Sequence, residues 1–206
     1  LHVSLISDIS KNIKLLTNSD KYSLHKLALL YYKRSDYKNA YDTILPIYKL
    51  NSNNLYISIA YANILIGLDR IDEALNVLNK VKNIYPLNSV ISFAIAEILI
   101  ENNLNLNYAE RLLEPLKLHY NLNPNYLRIS SKLYMLKNSD FKAAISRANY
   151  YQLLDDVDMS LEVLDNTIRS NTINIEQKRI LEAKKLNIIC SNPRPLEPIF
   201  GEKTCN

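Results

Sequence analysis

A small residue recurs in this chain at a nearly constant interval of 34 residues. The four members of the series are Ala40, Ala74, Ala109 and Ala143. Similar sequence surrounds the first and the last of them, since SDYKNAYDTI begins at Ser35 and SDFKAAISRA begins at Ser139. The middle interval is one residue longer, which fits a one-residue insertion in the loop at residues 103–106. A period of this length predicts repeated pairs of helices, in which a small residue near the turn lets both helices pack closely.

The residues around the first two alanines extend the pattern over both helices of each pair. The predicted packing positions are Leu24, Leu27, Ala28, Tyr31, Ile44 and Ile47 around Ala40, and Ser58, Tyr61, Ala62, Leu65, Leu78 and Val81 around Ala74. Pro86 then closes the second repeat. Two consecutive matches at the expected period indicate repeats of the tetratricopeptide type.

The predicted fold class is all-α, a tetratricopeptide-type helical-hairpin solenoid of about four repeats with extra C-terminal helices. The chain has only two glycines, whereas sheets with many tight turns need glycine at positive φ. We predict a lead helix and linker in residues 1–20, the solenoid in 21–189 and a non-helical tail in 190–206. The predicted helices cover residues 3–16, 21–34, 37–50, 55–68, 71–85, 89–102, 108–120, 126–137, 141–154, 159–170 and 175–189.

Helix ends and the last helices carry further signals. Asp36, Asp140 and Asp156 each precede an apolar periodic segment and are predicted to cap the helix that follows. The helix at residues 141–154 either closes the fourth repeat or opens a fifth whose small position is Ser160, and both hold if the helix is shared. The last predicted helix is charged on its outer side, which suits a solvated cap on a repeat array.

The chain lacks the sequence signatures of common catalytic and metal sites. His2, His25 and His119 are isolated and show no HExxH spacing, so no metal site is expected. With only Gly67 and Gly201 present, no glycine-rich phosphate loop can form. The net charge of +4 is spread along the chain, which argues against a nucleic-acid partner. No apolar stretch reaches the ~18 residues that predict a membrane span.

Two cysteines near the end of the chain allow two interpretations. Cys190 and Cys205 are either unrelated thiols or a disulfide that ties the proline-rich tail to the last helix in an oxidising compartment. Neither has a CxxC partner, so the spacing does not fit a zinc ribbon. The chain begins at Leu1, and we expect it to be a piece of a longer protein, such as the mature part of an exported one.

The first helix of each repeat in a solenoid lines a concave groove, which makes its outward positions candidates for binding. The candidate protein-binding residues are Tyr22, His25, Tyr32, Tyr56, Asn63, Phe93, Glu97, Arg128 and Lys132. The accompanying apolar positions are Leu29, Ile59, Ile66, Val90, Ile100 and Met135. Tyrosine offers apolar area with a polar tip, which suits protein contacts. The alternative is that many of these side chains simply pack between neighbouring repeats.

Several segments, in their order along the chain, resemble the C-terminal repeat domain of periplasmic BepA-like zinc metallopeptidases. The segments are ISKNIKLLT, ALLYYKRSDYKNAYDTILPIYKLNSNN, AERLLEPLKLHYNLNPNYLRISSKLY, AISRANYYQLLDDVDMSLEVLDNTI and IEQKRILEAKKLNII. The resemblance covers about residues 9–189. The family's catalytic domain carries an HExxH motif that this sequence lacks, so the resemblance implies an isolated, non-catalytic repeat domain.

This resemblance also implies a location and a role. It implies the periplasm, with zinc bound only in a peptidase domain that this chain does not contain and no cofactor in the chain itself. The partners implied are the peptidase domain and the outer-membrane assembly machinery or its substrates, which the repeats recruit to the peptidase. The alternative function is a free-standing tetratricopeptide scaffold or adaptor in envelope or pilus assembly.

Overall fold

The computed structural model describes residues 21–191, and the regular secondary structure in that range is entirely helical. The helices are α1 (Lys21–Lys33), α2 (Tyr37–Leu50), α3 (Leu55–Gly67), α4 (Ile71–Ile84), α5 (Ser89–Glu101), α6 (Leu106–Leu113), a 3-10 turn (Glu114–Leu116), α7 (Lys117–Tyr120), α8 (Pro124–Leu136), α9 (Asp140–Leu153), α10 (Val157–Arg169) and α11 (Ile175–Ser191). The predicted all-α class is confirmed. The lead helix at residues 3–16 and most of the predicted tail lie outside the described residues.

The first of two compact units ends at Ile98, and its described part holds α1 to α4 and most of α5. α1 packs against α2, α3 packs against α4, and α2 packs against α3, so two helical hairpins lie side by side. Ala40 and Ala74 are completely buried. Every predicted packing position of the second repeat is buried, whereas Leu24 and Tyr31 of the first are only partly buried. The register predicted from the alanine spacing is therefore confirmed.

The second unit begins at Leu99 and includes α6 to α11. α8 packs against α6 and α9, α9 also packs against α10, and α10 packs against α11. The helix predicted at residues 108–120 is wrong, because the structure divides it into α6, the 3-10 turn and α7. Pro115 lies in that turn. Proline has no N–H to donate and its ring crowds the preceding turn, so a regular helix does not continue through it here.

The long helix α9 is shared by two hairpins, as the sequence allowed. It packs against α8 on one side and α10 on the other. Ser160 of α10 is completely buried, and its Oγ donates a hydrogen bond of 3.0 Å to the carbonyl oxygen of Ala148. Beyond it, Leu161, Leu164 and Leu181 are completely buried in the core that joins α9, α10 and α11. Both interpretations of α9 are therefore confirmed.

Five helices end on a non-glycine residue in the left-handed region. These residues are Ser35, Asp69, Asn103, Asn138 and Asp155, with φ between 53° and 60°. In each case the amide of the next residue donates to a carbonyl five positions back, as from Asp36 to Tyr31 at 3.0 Å. This is the Schellman arrangement, in which glycine is usual but asparagine is tolerated. The use of asparagine, aspartate and serine at these turns explains how the chain folds with so few glycines.

Ser35→Gly is expected to raise the free energy of unfolding by about 0.5–1 kcal/mol, because glycine adopts the left-handed region without the steric cost that serine bears. Ser35→Ala, with a Cβ and no hydroxyl, is the matched control and should not stabilise the protein. Urea denaturation of the two variants measures the difference. Equal stabilities would contradict the assignment of this helix end.

In four repeats the left-handed residue lies five positions before the buried small residue. In the first repeat the two residues are Ser35 and Ala40, and in the fourth they are Asn138 and Ala143. The SD dipeptide starts at the left-handed residue in the first repeat but one residue after it in the fourth. Consequently, the cap predicted at Asp140 is wrong.

This difference of one residue decides which aspartates cap a helix. The side chain of Asp36 accepts from the Asn39 amide at 3.4 Å, and that of Asp156 accepts from the Met159 amide at 3.1 Å, as predicted. Asp140 is instead the first residue of α9, one position after the cap. Its carboxylate still lies at the positive end of the helix, where a negative charge is favourable.

Candidate functional site

A cavity of about 290 Å³ opens on the second unit along one face of α8 and α9. Its walls are Arg128, Ser131, Lys132, Met135, Arg147, Tyr150 and Tyr151, and we call these residues the basic groove. The α8 residues follow helical spacing, so they share one face of that helix. The α9 residues do the same from the other side. Arg128, Lys132 and Met135 are where the sequence placed groove positions of the fourth repeat.

The carboxylate of Glu101 pairs with two cations of the basic groove. The Oε1 of Glu101, the last residue of α5, accepts a hydrogen bond of 3.0 Å from Nη1 of Arg128. Its other oxygen pairs with the Lys132 ammonium. The hydrogen bond from Lys132, helped by Arg128, lowers the pKa of Glu101 below its ordinary value, so the carboxylate is charged at neutral pH. Arg147 is a third cation on the walls of the groove.

The aromatic wall of the groove comes from two adjacent tyrosines. The guanidinium carbon of Arg147 lies 5.9 Å from the ring centroid of Tyr151, within the range of a cation–π contact. The rings of Tyr150 and Tyr151 meet edge to face at 5.6 Å. Met135 is 54% exposed beside them. The groove therefore combines accessible positive charge with accessible apolar surface.

A second cavity of about 230 Å³ adjoins the groove between α8, α9 and α10. Met135 and Arg147 belong to the walls of both cavities. Its further walls include Val163, Asn166 and Thr167. A ligand chain longer than one side chain can thus follow the surface past Arg147 towards α10.

Arg147, Tyr150 and Tyr151 were not among the predicted groove residues. α9 follows α8 as the second helix of the fourth repeat, and such helices lie on the outer side of an array. The possibility that α9 is shared could have predicted these residues, because a helix that also opens a repeat has positions that face the groove. An arginine followed at three and four positions by tyrosines marks that face.

In the first unit, the predicted positions differ in exposure. Tyr56 is 74% exposed, whereas Asn63, Phe93 and Glu97 are partly buried. Ile100, at the following position of the same helix as Phe93 and Glu97, is completely buried, so its assignment to a groove surface is wrong. The side chain of Tyr22 lies outside the described residues.

Burial shifts the pKa values of Tyr32 and His25 in α1. Burial raises the pKa of Tyr32, with smaller contributions from Tyr37 and the negative charge of Glu97. The rings of Tyr32 and Tyr37 are 5.7 Å apart. Burial also lowers the pKa of His25, whose Nε2 is enclosed without a hydrogen-bond partner among residues 23–191. His25 is therefore neutral at physiological pH.

Other tyrosines pack between helices, which supports the alternative stated for many of them. Tyr61 of α3 stacks on Tyr48 of α2 at 4.2 Å and on Tyr41 at 5.8 Å. Arg70 lies 4.7 Å above the Tyr41 ring and forms a two-pronged ion pair with Glu73 at 2.6 Å. This cluster joins the two hairpins of the first unit.

Neither a metal centre nor a membrane span is found in the part of the chain that the structure describes. Within residues 21–191, no group of three histidine, cysteine or acidic side chains is placed to hold a metal ion. No helix there is long and apolar enough to cross a membrane. Cys190 lies near the end of α11, and Cys205 lies outside the described residues, so the disulfide between them stays a prediction.

These features define an all-α protein of tetratricopeptide-type repeats, a class of fold that acts as a protein–protein interaction module and is typically non-catalytic. The chain is similar in residues 12–81 to the family described as anaphase-promoting complex, cyclosome, subunit 3. The match covers about a third of the chain, including α1 to α3 and most of α4. No curated protein matches the chain.

Proposed function

We propose that this chain is a non-catalytic protein-binding domain that recruits substrates or outer-membrane assembly partners to a periplasmic zinc metallopeptidase. The observation that carries the binding role is the basic groove, in which three cations share one accessible surface with the exposed Met135 and the partly buried rings of two tyrosines. Charged residues that merely solvate a helix do not need to line a cavity together with tyrosine and methionine. The proposed zinc belongs to a separate peptidase domain, and the repeat chain needs no cofactor for recruitment.

The finer part of the proposal is supported by the ordered resemblance of five segments to the repeat domain of BepA-like peptidases. In this proposal the chain acts in the periplasm next to a peptidase domain. The alternative is a free-standing adaptor in envelope or pilus assembly, which uses the same groove without a peptidase.

In-cell photocrosslinking tests the proposal. A photoreactive amino acid replaces Met135 in the full-length protein, and a second variant carries it at the exposed Arg179 of α11 as a control. We expect Met135, and not Arg179, to crosslink to an outer-membrane assembly component or to an outer-membrane protein in transit. Crosslinks only to pilus or unrelated envelope components would overturn the metallopeptidase role. Equal yields at both positions would overturn the binding role of the groove.

Reversal of the two α8 charges is expected to reduce that crosslinking at Met135 to about a tenth of its yield. Arg128→Glu with Lys132→Glu removes both cations next to the groove and leaves Glu101 facing like charges. Lys178→Glu with Arg179→Glu is the matched control, with the same change of net charge on α11. Thermal melts followed by circular dichroism report whether each variant is folded. An undiminished yield from a folded double variant would contradict the proposed binding surface.

A further inference from the structure

The position of Glu101 is unfavourable for a carboxylate unless the neighbouring cations are considered. Glu101 is the last residue of α5, and a negative charge at a helix C-terminus faces the negative end of the helix dipole. Its side chain is 38% exposed, so burial does not hold it there. What holds it is the pair of cations from α8, Arg128 on one oxygen and Lys132 on the other.

Glu101 therefore occupies the same donors that an acidic ligand needs. Arg128 and Lys132 are 44% and 39% exposed in their side chains, so an incoming carboxylate reaches them from solvent. An ion pair this exposed is worth little, and a second carboxylate can replace it. Arg147 lines the opposite wall, and Glu101 pairs with the two α8 cations rather than with Arg147.

We infer that Glu101 is an internal competitor for an acidic segment of a partner protein, which binds the basic groove by taking the place of Glu101 on Arg128 and Lys132. This inference rests on the proposed binding role and specifies the chemistry of the partner. One carboxylate of the segment exchanges with Glu101, a second pairs with Arg147, and a neighbouring aromatic or aliphatic side chain lies against Met135, Tyr150 and Tyr151. The competitor keeps binding weak and reversible and admits only segments that offer both charge and apolar surface.

The cations that line the groove favour an acidic segment over other occupants. Arg128, Lys132 and Arg147 line the same cavity, and three cations on one surface complement negative charge. The adjoining cavity along α10 gives the segment room to continue past Arg147. The aromatic wall provides the apolar contact that a bare anion does not use.

Fluorescence anisotropy with the whole chain tests the inference. The probe is a fluorescein-labelled peptide of alternating glutamate and tyrosine, and the matched probe has glutamine in place of glutamate. We expect Glu101→Gln to bind the acidic probe about three- to tenfold more tightly than the natural chain, because the competing and repelling carboxylate is gone. The glutamine probe should bind weakly to both.

Glu110→Gln is the control for net charge. Glu110 also bridges two lysines of the second unit, Lys137 and Lys142, but it lines neither of the two cavities. Its replacement should change the affinity less than twofold. Weaker or unchanged binding by Glu101→Gln would overturn the inference, because Glu101 would then position the cations rather than compete for them.

Arg147→Ala in the Glu101→Gln background should weaken the acidic probe about fivefold. Arg111→Ala is the matched control, since Arg111 is likewise an exposed arginine beside a tyrosine ring, 5.7 Å from that of Tyr108. Equal effects of the two would overturn the inference, as would preferential binding of the glutamine probe or of a single-stranded oligonucleotide. These outcomes leave the photocrosslinking result standing, so failure of the inference is distinguishable from failure of the proposed function.

Discussion

Replacing Ala74 by leucine is expected to lower the free energy of unfolding by about 3 kcal/mol. Ala74 is completely buried in the first turn of α4, just after the tight turn from α3. The neighbouring Leu65 and Leu78 are also completely buried, so no space is left for a larger side chain. The extra carbons must push the two helices apart or force strained rotamers, and overpacking of this kind typically costs 1–3 kcal/mol. Urea denaturation with a fixed slope measures the change.

The control for Ala74→Leu is Asn76→Leu, which places the same side chain on the exposed face of the same helix. That variant should shift the free energy of unfolding by less than about 0.5 kcal/mol, as surface changes usually do. A neutral Ala74→Leu would mean that the alanine spacing does not mark the tight helix contacts and that the repeat register is wrong.

The helices and their register could be predicted because the repeat leaves a signal in every hairpin. Each copy repeats a buried small residue shortly after a tight turn. The structure therefore agrees with the predicted bounds of most helices to within one or two residues. α11, for instance, ends at Ser191 rather than at residue 189. Proline alone does not predict where a helix ends. Pro115 interrupts its helix with a 3-10 turn, whereas Pro46 lies inside α2 without ending it.

The surface of the first helices was harder to predict, for a physical reason. α5 is apolar around most of its circumference, and Ile98, Leu99 and Ile100 are all buried in succession. Helical periodicity identifies a face only when polar residues mark the other side. No rule of spacing could therefore assign Ile100 to the core and Val90 to the surface, although Val90 is 53% exposed. α8 carries polar residues on one side, and of its three predicted groove positions Arg128 and Met135 are exposed while Lys132 is partly buried.

The partner of the α8 cations could not be found from sequence at all. Glu101 is 27 residues from Arg128 and belongs to the preceding repeat. Pairs within a helix follow a spacing of three or four residues, but contacts between helices depend on how the hairpins stack. The structure adds this carboxylate to the groove, and with it the competition that we infer.

Replacing Gly67 by alanine is expected to lower the free energy of unfolding by about 2 kcal/mol. Gly67 is the last residue of α3, where alanine would ordinarily favour the helix by up to about 1 kcal/mol. A Cβ at this position meets the ring of Tyr37, which begins α2, and lies only 2.7 Å from its Cγ. The Cδ1 and Cε1 edge of the ring lies closer still. Because Cγ lies on the rotation axis of the ring, turning the ring about the Cβ–Cγ bond does not relieve the contact with Cγ. The ring must move away from Tyr32, on which it rests at 5.7 Å.

A double-mutant cycle separates this clash from any effect on the helix alone. In the Tyr37→Ala background no ring opposes the new methyl group. Gly67→Ala should then be neutral or stabilise the protein by about 0.5–1 kcal/mol, with the sign opposite to that in the natural chain. If Gly67→Ala destabilises both backgrounds equally, the tight contact between α2 and α3 is not the reason for glycine at this helix end. A change of sign would show that one of the two glycines in the chain is there to bring two hairpins together, while the turns manage with asparagine, aspartate and serine.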